Sequence, residues 1–195
     1  MKIISDFDDV MFNNSKLKEI IIATLTKAGI PQDIGEQTYQ KEKESGAFSL
    51  TKFLHSLVKD EAKISEMYEE IMGNCQDLVN MAVLDQVRSA GDNNVYIISE
   101  GDEAFQRDKI SRSTGNIFPN ITIVHGAKNR KVEEICRDFP KDDVIFVDDK
   151  QKYFDDIDMS MCPNLKTVLF TKYGLQMLKD EIESSVYNEL NRKKH

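Results

Sequence analysis

The stretch Lys2-Ile3-Ile4-Ser5-Asp6-Phe7-Asp8-Asp9-Val10 decides the fold. A short β-branched run stops at Ser5, and carboxylates follow at once. Continuous apolar character, without alternation, is how a strand reads when helices cover both faces of its sheet. The pattern returns in Val95-Tyr96-Ile97-Ile98, Ile121-Thr122-Ile123-Val124 and Val144-Ile145-Phe146-Val147, with Lys166-Thr167-Val168-Leu169-Phe170 as a fifth candidate. Helical segments separate the later runs, so the spacing predicts βαβ units in a doubly wound, parallel α/β sheet.

The first interval is far longer than the others. A crossover needs only about 10–12 residues, yet the second strand waits until Val95. Between them Leu17, Ile20, Ile21, Thr24 and Leu25 share one helical face, with Ser15 as the expected cap and Gly29 as the stop. Pro31 suits the first turn of the next helix. Leu50, Phe53, Leu54 and Leu57, then Ile64, Met67, Tyr68 and Ile71, mark two more, and helical spacing resumes from Leu78 to Val87. The expected organisation is a core of residues 1–13 plus 83–195, with residues 14–82 as an all-helical insertion. Leu175 to Lys194 reads as a final amphipathic helix whose basic end, Arg192-Lys193-Lys194, suits a helix C-terminus.

Composition narrows the function. Of 195 residues, 34 are acidic and 26 basic, a formal charge of −8, which offers no electrostatic footprint for nucleic acid. No run approaches the ~20 apolar residues of a membrane span, and the first apolar stretch breaks too early for a signal peptide. Cys75, Cys136 and Cys162 show no metal or disulfide spacing and read as buried free thiols, so a cytoplasmic location is expected. Met72, Met81, Met159 and Met161 read as core fillers.

In open α/β sheets ligands bind beyond the carboxyl ends of the strands. Those ends carry Asp6, Asp8 and Asp9; Ser99-Glu100-Gly101; His125-Gly126-Ala127-Lys128; and Asp148-Asp149. The set suits phosphoryl transfer. Asp6, directly after the strand, can attack phosphorus. Asp8, two residues on, can give a proton to the leaving oxygen and then activate water. Asp148 and Asp149 are hard oxygen ligands of the kind Mg2+ takes. Ser99 and the amides near Gly101 stand where a helix would begin, a natural seat for phosphate oxygens. A lysine nearby would neutralise charge and keep Asp6 ionised.

Asp6-x-Asp8-x-Val10, then Ser99, a lysine, and Asp148-Asp149, each after its own strand, resemble the four motifs of the haloacid dehalogenase superfamily. The resemblance spans the core and puts the insertion where that family carries C1 caps. It implies a Rossmann-like core and a Mg2+-dependent phosphatase acting on a small phosphorylated metabolite. Asp6 would be nucleophile, Asp8 acid/base, and Ser99 a phosphate ligand, with Asp6, Asp8 (through its backbone carbonyl), Asp148 and Asp149 as the metal set. Family members that cleave carbon–halogen or carbon–phosphorus bonds typically lack the second aspartate. A phosphomutase of the same superfamily is the nearest alternative. A non-catalytic metal- or phosphate-binding regulator would be expected to lack Asp6 or Asp8, and the long insertion and Asp148-Asp149 disfavour a phospho-accepting receiver.

For the motif lysine, Lys128 is preferred because it precedes the apolar helical face of Val132, Ile135, Cys136 and Phe139. Lys131 is the alternative. Asp9 reads as a turn or capping carboxylate, Asp155, Asp156 and Asp158 as a solvated face, and His55 and His125 lack metal-ligand spacing. Lys41, Lys43, Phe48, Lys52 and His55 are cap residues that could face the site. Substrate and oligomeric state are not legible.

Overall fold

The computed structural model describes residues 1–192, and all five apolar runs are strands in it. They are β1 (Lys2–Ser5), β2 (Val95–Glu100), β3 (Asn120–Val124), β4 (Val144–Asp148) and β5 (Leu165–Leu169). They form one sheet in the order β3-β2-β1-β4-β5, every pair parallel. The chain steps from β1 to β2 and β3, then crosses back to β4 and β5. Connections therefore diverge on either side of β1 and leave a crevice at its carboxyl end. Ile3↔Ile145 and Ile4↔Phe146 are in register, and these four side chains are fully buried. β3, expected to be covered on both faces, is instead half-buried along its length because it is an edge strand.

The long interval is helical: α1 (Asn14–Lys27), α2 (Gln32–Glu44), α3 (Leu50–Leu57) and α4 (Glu61–Met72), then a short 3-10 turn at Cys75–Leu78 and α5 (Met81–Arg88). α1 packs on α2 and α4, and α3 on α2 and α4. The remaining helices are α6 (Glu103–Thr114), α7 (Lys128–Asp138), α8 (Lys152–Asp155) and α9 (Gly174–Arg192), and α5 rests on α9. The cap of α1 is Asn13, not Ser15: the Asn13 side chain accepts the Lys16 N–H at 3.0 Å from extended backbone, one of the orphan donors of a helix start. The spacing from Leu78 to Val87 is also broken. Val79 is extended and bridges Phe12, and Asn80 caps α5.

Met72 is buried, but Met81, Met159 and Met161 are 56%, 51% and 54% exposed. Met81 opens α5, and the other two lie in the turn after α8. The three cysteines are buried and free. Leu178 and Ile182 hold α9 against the sheet. The basic end expected for this helix includes Lys193 and Lys194, which with His195 lie outside the described residues. Among the described residues no helix is long and apolar enough to cross a membrane.

Candidate active site

Asp6 leaves β1 with its N–H on the Val147 carbonyl, 2.9 Å away, which fixes it beside β4. Its Oδ1 accepts the Phe7 N–H at 2.7 Å, and its Oδ2 faces the Lys128 ammonium at 2.9 Å. That ammonium also reaches Asp148 Oδ2 at 2.7 Å and lies 4.4 Å from the centre of the Tyr153 ring. Lys128 is 1% exposed. Gly126 and Ala127 both take left-handed backbone (φ 85° and 54°), and this turn delivers Lys128 as the first residue of α7. Lys131, a turn later, pairs with Glu134 near the surface. The structure thus brings Lys128 to the strand ends and leaves Lys131 away from them.

Asp6, Asp148 and Asp149 offer carboxylate oxygens within 4.8 Å of one another. The Lys150 N–H binds Asp148 Oδ1 at 2.9 Å, whereas Asp149 Oδ1 is buried without a partner. Burial pushes the Asp6 carboxyl up to about 7: Lys128 pulls it down, but Asp148 and Asp8 oppose that pull. Burial likewise raises Asp149. Lys128 is held above its usual range, since Asp6 and Asp148 outweigh the burial that would lower it. Two carboxylates share the one ammonium, and the third, Asp149, keeps a buried oxygen without a partner. Hard donors with excess negative charge fit Mg2+.

The Asp8 carboxylate stands apart from this trio. It pairs with the Lys109 ammonium and accepts from Gln106 Nε2 at 2.8 Å. Burial would raise its pKa, but Lys109, with Gln106 and Asn14, holds it below the usual carboxylate value. The Lys109 pair favours the carboxylate form of Asp8, the form its expected role as base uses, whereas its expected role as proton donor uses the protonated form. Ser99 Oγ is fully buried with no partner. Of the amides near Gly101, its own N–H bonds the Val124 carbonyl at 3.2 Å, which carries the β2–β3 ladder one residue past Glu100. The Glu100 carboxylate accepts from the Tyr153 hydroxyl. Asp9 is an exposed turn residue at φ 59°, its N–H on the Phe12 carbonyl.

A cavity of about 510 Å3 opens beside Asp8, lined by Asp9, Glu100, Gly101 and His125 from the strand ends, and by Tyr39, Lys43 and Phe48 from the insertion. Lys41 is exposed and does not line it. Neither does Lys52, 3.8 Å from Asp102, nor His55, which contacts Thr51 and Glu61. Sequence reasoning missed Lys109 and Gln106. The available signal was a lysine four residues after Phe105, on the face of α6 that the core buries.

A parallel doubly wound sheet with a carboxylate centre at its switch point and helices inserted after the first strand defines the class of molecule. No protein-family model and no curated relative matches the sequence. Solved structures do. A haloacid dehalogenase-like hydrolase from Burkholderia xenovorans LB400 aligns with TM-score 0.64 at 18% identity, over 85% of this chain and 81% of its own. A hydrolase from Streptococcus pneumoniae TIGR4 gives 0.54 at 15%, over 92% and 97%. The HAD-hydrolase YfnB from Bacillus subtilis, bound to magnesium, gives 0.51 at 11%, over 85% and 84%. The chain has the haloacid dehalogenase-like hydrolase fold, a Rossmann-like core with an inserted helical cap.

Proposed function

We propose that this protein is a Mg2+-dependent phosphatase of small phosphate monoesters, with residues 14–82 as its cap. The observation that carries the reading is Lys128 bridging Asp6 and Asp148 in a carboxylate group that Asp149 completes with an unpartnered oxygen. Lys128 and Ser99 Oγ would hold phosphate oxygens. Asp6 attacks phosphorus, the ester P–O bond breaks, and an aspartyl-phosphate forms. Mg2+, held by Asp6, Asp148, Asp149 and the Asp8 carbonyl, would supply the charge that offsets the carboxylates and the incoming phosphate. The magnesium of the Bacillus subtilis neighbour supports that choice of ion.

As a carboxylate, the form its pairing with Lys109 favours, Asp8 would take a proton from the water attacking the aspartyl-phosphate. That attack breaks the bond to Asp6 and frees inorganic phosphate. Protonating the leaving oxygen in the first step requires Asp8 to carry a proton, and hence the Lys109 contact to loosen. A phosphomutase would return the phosphoryl group to a second hydroxyl. Release of inorganic phosphate from a panel of sugar phosphates, nucleotides and phospho-amino acids separates the two. Activity is expected with Mg2+ and none in excess chelator; full activity in chelator would remove the metal role.

A further inference from the structure

The 510 Å3 cavity lies within the size range of small-molecule sites, and its two sides differ. Toward the strand ends it is polar: Asp8 is occupied by Lys109 and Gln106, and Glu100 by Tyr153, while Asp9, His125 and Lys150 line the same end. Toward the insertion the wall is Leu17, Ile21, Tyr39 and Phe48, with Phe105 of α6 closing one side. Asn14, also on that side, hydrogen-bonds Asp8. Among the described residues Lys43 is the only charged side chain that the inserted helices bring to the cavity. The Phe48 ring lies 4.8 Å from that of Tyr39 and 5.6 Å from that of Phe105, the latter edge-on. Tyr39 and Phe48 are only partly buried, so ring surface is left facing the space a substrate would fill.

We infer that the alcohol portion of the substrate is an apolar, ring-bearing group and not a polyol. The inference rests on the phosphatase reading and adds to it the class of leaving group. A sugar or glycerol chain laid along this wall would meet mostly carbon, with Lys43 and the Tyr39 hydroxyl as its few polar partners, and would lose more water contacts than it regains. A flat ring would bury apolar area against Tyr39 and Phe48 and add offset or edge contacts.

Phenethyl phosphate and glycerol phosphate release alcohols of similar basicity, so their comparison reports the pocket more than the chemistry. With the full chain and Mg2+, kcat/KM is expected to favour phenethyl phosphate by about tenfold or more. Phe48→Leu keeps apolar volume but removes the ring, and should bring that ratio toward one with little change in Tm. Calorimetric binding of phenethylphosphonate and of a dihydroxybutyl phosphonate reads the same preference without turnover. Selective binding of the aryl compound without turnover supports the pocket assignment while removing the phosphatase reading. Turnover that favours the polyol, equal binding of the two phosphonates, or a ratio unchanged in Phe48→Leu overturns the inference.

Discussion

At the residue scale, Lys128 is set between two carboxylates it cannot leave without exposing buried charge. Lys128→Met should lower turnover about 10²–10³-fold, the loss seen when one preorganised donor to a developing anion is removed. Lys131→Met, whose partner is Glu134 near the surface, should change activity and stability little. A large loss confined to Lys131→Met would reverse the assignment. Asp6→Asn should abolish turnover of every ester. It also carries a pH signature. The folded-state value of about 7 lies above the ordinary 3.8, so between roughly pH 4 and 7 the native protein binds more protons than the unfolded chain, and its stability falls as pH rises. Without metal, Asp6→Asn should therefore gain several degrees of Tm on the wild type between pH 4 and pH 8. A pH-independent difference would contradict the raised value. Asp8→Asn should slow alkyl phosphates more than aryl phosphates, because only poor leaving groups need the proton. An equal loss across the series would exclude Asp8 as the acid.

At the element scale, α6 links the site to the insertion. Gln106 and Lys109 hold Asp8, while Asp108 accepts the Tyr68 hydroxyl of α4 at 2.8 Å and Arg112 reaches Glu69 at 2.8 Å. The turn from β2 into α6 depends on Gly101, whose φ of 152° strains any side chain and whose added Cβ would stand 2.9 Å from Gln106 Nε2. Gly101→Ala should cost about 1–3 kcal/mol and, by displacing Gln106, lower turnover several-fold. Urea melts and steady-state rates check both. Wild-type stability and rate in this variant would show that the turn tolerates a side chain.

At the scale of the whole molecule, sheet and insertion share one apolar interior. The cluster that includes Ile3, Ile97 and Ile145 runs through Phe7, Met11 and Phe12 into Leu50, Phe53 and Ile64. Replacing residues 14–82 with a linker would uncover Phe7, Met11 and Phe12 along with the substrate wall. The excised core is expected to aggregate or melt well below the full chain, and to lose discrimination among esters in whatever fraction stays soluble. The intact chain should unfold in one urea transition by fluorescence and circular dichroism. Two separated transitions, or a core as stable as the whole with the same substrate ranking, would show that the helices are an independent attachment.

Sequence by itself determined the strands, because burial on both faces demands continuous apolar residues, and β1 and β4 follow that rule along Ile3-Ile4 and Val144–Val147. It also determined which carboxylates end those strands, since Asp6 and Asp148 sit within a residue of where each apolar run stops. The preference for Lys128 came from local helical phase, and the left-handed turn at Gly126-Ala127 carries it out. Tertiary structure alone decided what the Asp8 carboxylate pairs with. Its partners stand 98 and 101 residues away on α6, and no local pattern encodes a contact made by folding one element onto another. The same holds for the Gly101 amide, taken by a carbonyl of the neighbouring strand, and for the open side of β3, which follows from its place at the edge of the sheet. Periodicity reports which face of an element is apolar; only the packed sheet sets what that face meets and how much charge stands beside it.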